Sequence, residues 1–533
     1  MRINDKLARG AIAAGLTLAM GLGGLTLPAT ALAETTYGTG NITIDQVTGN
    51  DTTFTGYQIF KAKVTDDSSK PSGKSVSDVE WVSTDVKTAV ERATGQSFAT
   101  AQDAADWITA NVSGTDDKTA APSGSVADNI AKAVSGLTAT TTVKPGEATS
   151  LDEGYWLFVT TVGTATEGEV ATAPIFAVVG GGDVHVMEKG SVPTVKKTLA
   201  DGKSTSGSTG VGKVVSYKLE GTVARDIASY ASYSYQFNDQ LSAGLDYNAN
   251  SAKVEVDGTD VTKSATISYD GTTRRLTIGF DDLKKVATLT KDSRVTVTYD
   301  ATVNKDAIAG TGTNLDNTVS LTYSNDPHST TTVTTKDNPT VKEYTYKLKL
   351  IKVDRDTEKA LAGATFTIMS SDGKYVQGDG SLGTDAHTFT ANGDDGFTVN
   401  GLDAGTYKVS EMDAPTSEDN TAYDKASVFT FTISPKISDQ DVLTGITNTV
   451  TGDDAIAGTS NGDTGDHKLV AKDGTSADVA TGTVTVTVGD KKQITMPLTG
   501  MKGTTALVVY GSVILVVSAG AYLKHRHDAA DAE

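Results

Sequence analysis

The sequence predicts a mainly β chain of tandem sandwich domains, the first of which carries a helical insertion. Two observations carry the sandwiches. Apolar and polar residues alternate with a period of two at Tyr346-Lys347-Leu348-Lys349-Leu350, at Val428-Phe429-Thr430-Phe431-Thr432-Ile433 and at Val484-Thr485-Val486-Thr487-Val488. Asp-Gly and Asn-Gly pairs, the favoured residues of tight hairpins, separate several such runs. A third observation, a change of period between Ser83 and Leu137, carries the insertion. There Thr84 or Asp85 is expected to cap a helix with Val86, Ala89 and Val90 on one face, and Ala104–Val112 and Val126–Val134 also read as helical.

The chain has 533 residues, enough for about three to four domains of ordinary size. Boundaries are expected near Pro193 and Pro339, each in an extended Thr/Val-rich stretch, giving domains of 34–190, 191–340 and 341–495. The stretch Thr451–Ala480, rich in Gly, Asp and Thr, reads as a loop. A formal net charge of -20 argues against nucleic acid and against anionic membrane surfaces as partners. Cys is absent, so a secreted chain of this length needs a source of security other than disulfides.

Both ends read as processing signals. Arg2, Lys6 and Arg9 precede the apolar run Ala11–Leu27, and Ala31-Leu32-Ala33 supplies small residues for a signal peptidase. Residues 1–33 are thus expected to be removed, with cleavage between Ala33 and Glu34. At the other end Ala506–Leu523 is uncharged and apolar, close to the length that spans a bilayer core as a helix, and Lys524, His525, Arg526 and His527 follow it. Ahead of this span stands Met496-Pro497-Leu498-Thr499-Gly500. The order of pentapeptide, apolar span and basic tail over 496–533 resembles an LPXTG-type cell-wall sorting signal, with Met496 in place of the usual Leu. By that resemblance a sortase Cys attacks the Thr499 carbonyl and releases Gly500 and everything after it.

Leu350-Ile351-Lys352-Val353-Asp354, Leu361-Ala362-Gly363-Ala364-Thr365-Phe366 and Gly401–Glu411 followed by Ala414-Pro415 resemble a Cna B-type domain, an Ig-like sandwich. In that family a Lys on the first strand and an Asn or Asp on the last join as an intramolecular isopeptide bond, assisted by a Glu on a middle strand. Lys352 shares parity with Leu348 and Leu350, and Glu411 with Tyr407 and Val409, so alternation points both inward. A buried Lys loses its charge and becomes a nucleophile, and a protonated Glu411 would polarise the acceptor carbonyl. Asp490 shares a face with Val484, Val486 and Val488 and is the first acceptor expected; Asn448 is the alternative.

Pro193–Leu199, Asn238-Asp239, Val303–Ala307 and Asn317–Asn325 resemble the middle domain of backbone pilins. Lys197 shares parity with Val195 and Leu199, whereas Lys196 points away. The resemblance implies a second bond from Lys197 to an Asn, with Asp239 as the buried acid. Asn317 and Asn325 lie on one face, and parity does not separate them. Just upstream, Asp183–Lys189 resembles the pilin motif, with Met187-Glu188 where the family has Tyr-Pro. Lys189 is then the amine that resolves the sortase acyl-enzyme of the next subunit, in a junction expected to be accessible. Gly190 stands where many relatives have Asn, and Tyr155–Val159 lacks a following Glu, so no isopeptide bond is expected in the first domain.

The whole resembles the backbone pilin of a Gram-positive, sortase-assembled pilus: secreted, wall-anchored and part of an extracellular fibre. The resemblance implies a class C pilin sortase, a housekeeping sortase, identical subunits, minor pilins and peptidoglycan as partners. No cofactor and no metal are expected: no His-Glu-x-x-His and no paired Cys occur, and Asn461–Asp466 lacks the spacing of an EF-hand. The alternatives are a wall-anchored adhesin or minor pilin that binds a host ligand directly, and a wall-anchored enzyme, for which no catalytic constellation is visible.

Overall fold

The computed structural model describes residues 36–493 apart from 49, 51, 71–72, 113–119, 161–168, 416–420, 452–454, 457–468 and 471–477. The signal-cleavage pair Ala33 and Glu34, the pentapeptide Met496–Gly500, the span Ala506–Leu523 and the loop Asn461–Asp466 lie outside the described residues.

The chain is mainly β, in sheets that follow one another along the sequence. In the first part, strand β1 (Thr39–Asp45) lies at the centre of a three-stranded sheet. Strands β2 (Phe54–Asp66) and β3 (Gly154–Thr160) are central in a five-stranded sheet. The run Tyr155-Trp156-Leu157-Phe158 is apolar at every position because β3 is covered on both sides. Tyr155 and Leu157 pack toward the helices, while Trp156 and Phe158 pack against Ile42 and Ile44 of β1.

Three helices, α1 (Thr84–Thr94), α2 (Ala101–Asn111) and α3 (Val126–Ser135), form the insertion. Val86, Ala89 and Val90 are the buried face of α1, as their spacing predicts. The expected cap is corrected by one residue: Ser83, not Thr84 or Asp85, accepts from the Val86 N–H at 3.2 Å. α2 begins at Ala101 rather than Ala104, because Thr100 and Asp103 close a capping box ahead of the apolar face.

The first part ends with β4 (Val184–Met187), which runs parallel to β1. The middle part is a sandwich. One sheet contains β5 (Val195–Leu199), β6 (Val214–Thr222) and β8 (Arg294–Val303). The facing sheet contains β7 (Tyr235–Leu241), β9 (Asp316–Ser324) and β10 (Thr340–Tyr344). A single residue, the buried Thr345, separates β10 from β11 (Tyr346–Asp354), the first strand of the last sandwich. There β11 pairs in parallel with β15 (Thr483–Asp490), while β12 (Gly405–Asp413), β13 (Phe429–Ile437) and β14 (Leu443–Thr451) adjoin in the opposite sheet. Leu348, Leu350, Phe431, Ile433, Val484, Val486 and Val488 fill the core between them, as alternation predicts.

Candidate functional site

Alternation along β5 turns Lys197 inward and leaves Lys196 exposed. Asp239 on β7 enters the same core from the opposite sheet, and both residues are fully buried. The Lys197 Nζ lies 2.5 and 2.6 Å from the two carboxylate oxygens of Asp239. Burial in an apolar sandwich disfavours both charges. Desolvation brings the Lys197 amine down to about 8, with Asp239 opposing the shift. Burial also raises the Asp239 carboxyl, with Lys197 opposing. Both shifts favour the neutral amine and carboxyl over the ion pair, and the Nζ lies over the Tyr217 ring at 5.0 Å.

Asn317 is buried on β9, one strand away from Asp239 in the same sheet. Tyr299 on β8 links all three side chains. Its Oη donates to Asp239 Oδ2 at 2.7 Å and accepts from Asn317 Nδ2 at 2.6 Å and from Lys197 Nζ at 3.1 Å. Sequence reasoning missed Tyr299. The signal was present, since it continues the inward alternation of Val295, Val297, Ala301 and Val303, but polar tips on core aromatics are common.

The two Asn that parity left open part company here. Asn325 stands eight residues beyond Asn317, on the order of 25 Å along an extended chain. Its side chain donates to Glu169 O at 3.2 Å and accepts from Thr331 at 2.8 Å, and its backbone oxygen accepts from Ala171 N at 2.7 Å. Asn325 therefore ties the middle sandwich to the end of the first part.

In the last sandwich Lys352, Glu411 and Asp490 converge, all buried. The Lys352 Nζ donates to Asp490 Oδ1 and, at 3.2 Å, to Glu411 Oε2. Glu411 is fixed by the Ala426 N–H at 2.7 Å. Desolvation pushes the Asp490 carboxyl up to about 7, with Lys352 opposing and Glu411 adding to it. Asn448 is buried on β14 opposite Ile433, whose other neighbour is Gly405 at the far end of β12 from Glu411. That offset is about 20 Å, so Asn448 is not brought to Lys352. Among the described residues its buried amide has no hydrogen-bond partner.

Lys189 stands two residues past the end of β4 and is half-buried. The junction is more closely packed than expected. Glu188 is 3% exposed, accepts from Val47 N at 2.8 Å and also accepts from Asn50 Nδ2. Gly190 is buried too, and a Cβ there would sit 2.4 Å from Thr172 Cγ2. The polar Glu188 turns inward because Val184 and Val186 already face the core and buried Asn50 supplies its partner.

A family model described as the Gram-positive pilin backbone subunit 2, Cna-B-like domain, matches residues 211–327. A second, described as the SpaA prealbumin-like fold domain, matches residues 346–444. Residues 211–327 are thus similar to a domain of Gram-positive pilin backbone subunits. The chain is 26% identical over 251 residues to the trypsin-resistant surface T6 protein of Streptococcus pyogenes serotype M6, a match covering 43% of this chain and 44% of that protein. The match thus spans less than half the length of this curated relative. The T6 backbone pilin structure of serotype M6 Streptococcus pyogenes superposes with a TM-score of 0.49 at 16% identity, covering 87% of this chain and 100% of that one. The full-length major pilin SpaD of Corynebacterium diphtheriae gives 0.45 at 15% identity, covering 86% and 98%. Each of the two matched regions lies in a sandwich with one of the buried Lys–carboxylate pairs.

Proposed function

We propose that the chain is the structural backbone subunit of a Gram-positive pilus, with three sandwich units at 34–190, 191–340 and 341–495. The observation that carries this reading is the pair of buried clusters, each holding a Lys, a second-sheet acid and an acyl acceptor, with no ion-pair partner outside the cluster among the described residues. In the middle unit the Lys197 amine attacks Asn317 Cγ, the Nζ–Cγ bond forms, the Cγ–Nδ2 bond breaks and ammonia leaves. In the last unit Lys352 attacks Asp490 Cγ and water leaves, with Glu411 moving the proton. A buried ion pair is a poor source of stability, and conversion to an amide removes both charges.

Outside the cores, a sortase joins Thr499 of one subunit to Lys189 of the next, and a wall-linked chain extends from Glu34 to Thr499. The finished fibre is extracellular, anchored to peptidoglycan, and its subunits are substrates rather than enzymes. Intact mass of the soluble ectodomain tests the internal chemistry. It should fall one water and one ammonia below the sequence mass, with Glu411→Ala restoring the water and Asp239→Ala the ammonia. A wild-type mass equal to the sequence mass would refute both bonds.

A further inference from the structure

We infer that Tyr299 is a catalytic residue of the Lys197–Asn317 condensation, the acid that hands a proton to the departing ammonia. The inference rests on the reading that this bond forms. It begins from a problem of balance. An amide NH2 does not leave as an anion, so Asn317 Nδ2 must gain a proton as Cγ–Nδ2 breaks. Asp239 takes one from Lys197, but its contacts are to Lys197 and Tyr299, not to Asn317. Among the described residues, the one group that touches both Asp239 and Asn317 Nδ2 is the Tyr299 hydroxyl, at 2.7 and 2.6 Å.

Before reaction the hydrogen bonds run from Nδ2–H to Oη and from Oη–H to the Asp239 carboxylate. Once Asp239 has accepted the first proton from Lys197, that direction reverses: the carboxyl donates to Oη, and Oη–H points at Nδ2. Attack of Nζ on Cγ makes Nδ2 tetrahedral and gives it a free lone pair. Tyr299 passes its proton to Nδ2 and recovers one from Asp239, and Asp239 takes the second proton from the adduct nitrogen. Ammonia leaves, the amide remains, and both relay groups end protonated. Burial holds the free phenol well above its ordinary acidity range, with Asp239 adding to the shift, so Oη keeps a proton to give. Stacking on Tyr217 at 5.4 Å fixes the ring.

Intact-mass time courses after a pulse of isotopically labelled amino acids read this step directly. Tyr299→Phe keeps the ring and should slow ammonia loss by roughly 100-fold, the scale of a positioned general acid. Loss of water in the last sandwich of the same molecules should keep its wild-type rate, which also reports that the chain has folded. Site-specific 3,5-difluorotyrosine at 299 keeps ring and hydroxyl while changing its acidity, and should alter the rate without abolishing the bond. Ammonia loss at the wild-type rate in both variants would overturn the role of Tyr299. A wild-type chain that never loses ammonia would instead overturn the bond itself.

Discussion

Lys352 and Asp490 face each other from adjacent parallel strands of one sheet, Asp490 lying two residues beyond Val488, the register partner of Lys352. Lys197 and Asn317, in contrast, approach from opposite sheets of their sandwich. The first arrangement ties the first strand of its domain to the last. The second reaches β9 and leaves β10 outside the closed loop. The two proposed bonds would therefore differ in what they protect.

Loss of the proposed Lys352–Asp490 bond should destabilise the last sandwich strongly. The two residues are 138 positions apart, and by the chain-entropy argument for cross-links a loop of that size contributes about 5 kcal/mol. Lys352→Ala also leaves two buried acids without their cation. Urea titration of the ectodomain, with protease resistance as a second probe, should show an early transition from this region. A midpoint equal to wild type would mean that no bond was lost.

Polymerisation should depend on a different lysine. Lys197 and Lys352 are fully buried and cannot enter an enzyme's active site, whereas Lys189 is half-buried just past the end of β4. Lys189→Ala should abolish the covalent ladder in wall extracts while leaving a folded, wall-attached monomer. Lys197→Ala and Lys352→Ala should still give polymers. A normal ladder from Lys189→Ala cells would redirect attention to Lys196, which is exposed on β5.

Under tension between Lys189 and Thr499, the bonded chain should extend in one place. With both proposed bonds formed, load would pass from Lys197 to Asn317 and from Lys352 to Asp490, so residues 198–316 and 353–489 would be bypassed. Asn317 pairs with Val341, so the excursion between them, residues 318–340, is held only by sheet hydrogen bonds and packing. Its release adds roughly 7 to 8 nm at about 3.4 Å per residue. Single-molecule pulling should show this step in wild type and a far longer one in Asn317→Ala. Identical traces for the two would exclude a load-bearing middle bond.

The packing beside Lys189 should weaken as pH rises. Burial lifts Glu188 from 4.5 to about 7 and Asp226, which accepts from Ala173 N at 3.1 Å, from 3.8 to about 7. Both groups bind protons more tightly folded than unfolded. Their contribution is complete below about pH 4 and is lost as pH climbs through about 7. Amide exchange at Val47 and Ala173 should therefore be slower at pH 5.5 than at pH 8, after correction for intrinsic rates. Glu188→Gln should flatten the difference at Val47; an equal dependence in the variant would rule Glu188 out as its source.

Period-two alternation determined a great deal by itself. It oriented Lys197, Lys352, Glu411 and Asp490 toward their cores, because a strand has only two faces and the neighbours on one of them were apolar. Helical spacing likewise identified the buried stripe of α1. What alternation cannot do is measure distance along a face. Asn317 and Asn325 have equal parity, as Asn448 does with its strand, and only the pairing of β7 with β9 and the remoteness of β14 set them apart. Tyr299 was invisible for a related reason: an inward aromatic is ordinary core until the opposite sheet brings Asp239 and Asn317 to its hydroxyl. Parity also puts Glu188 on the face of Val184 and Val186, but the partner that accommodates its carboxyl there, a buried Asn50 138 positions away in the chain, came only from the tertiary structure.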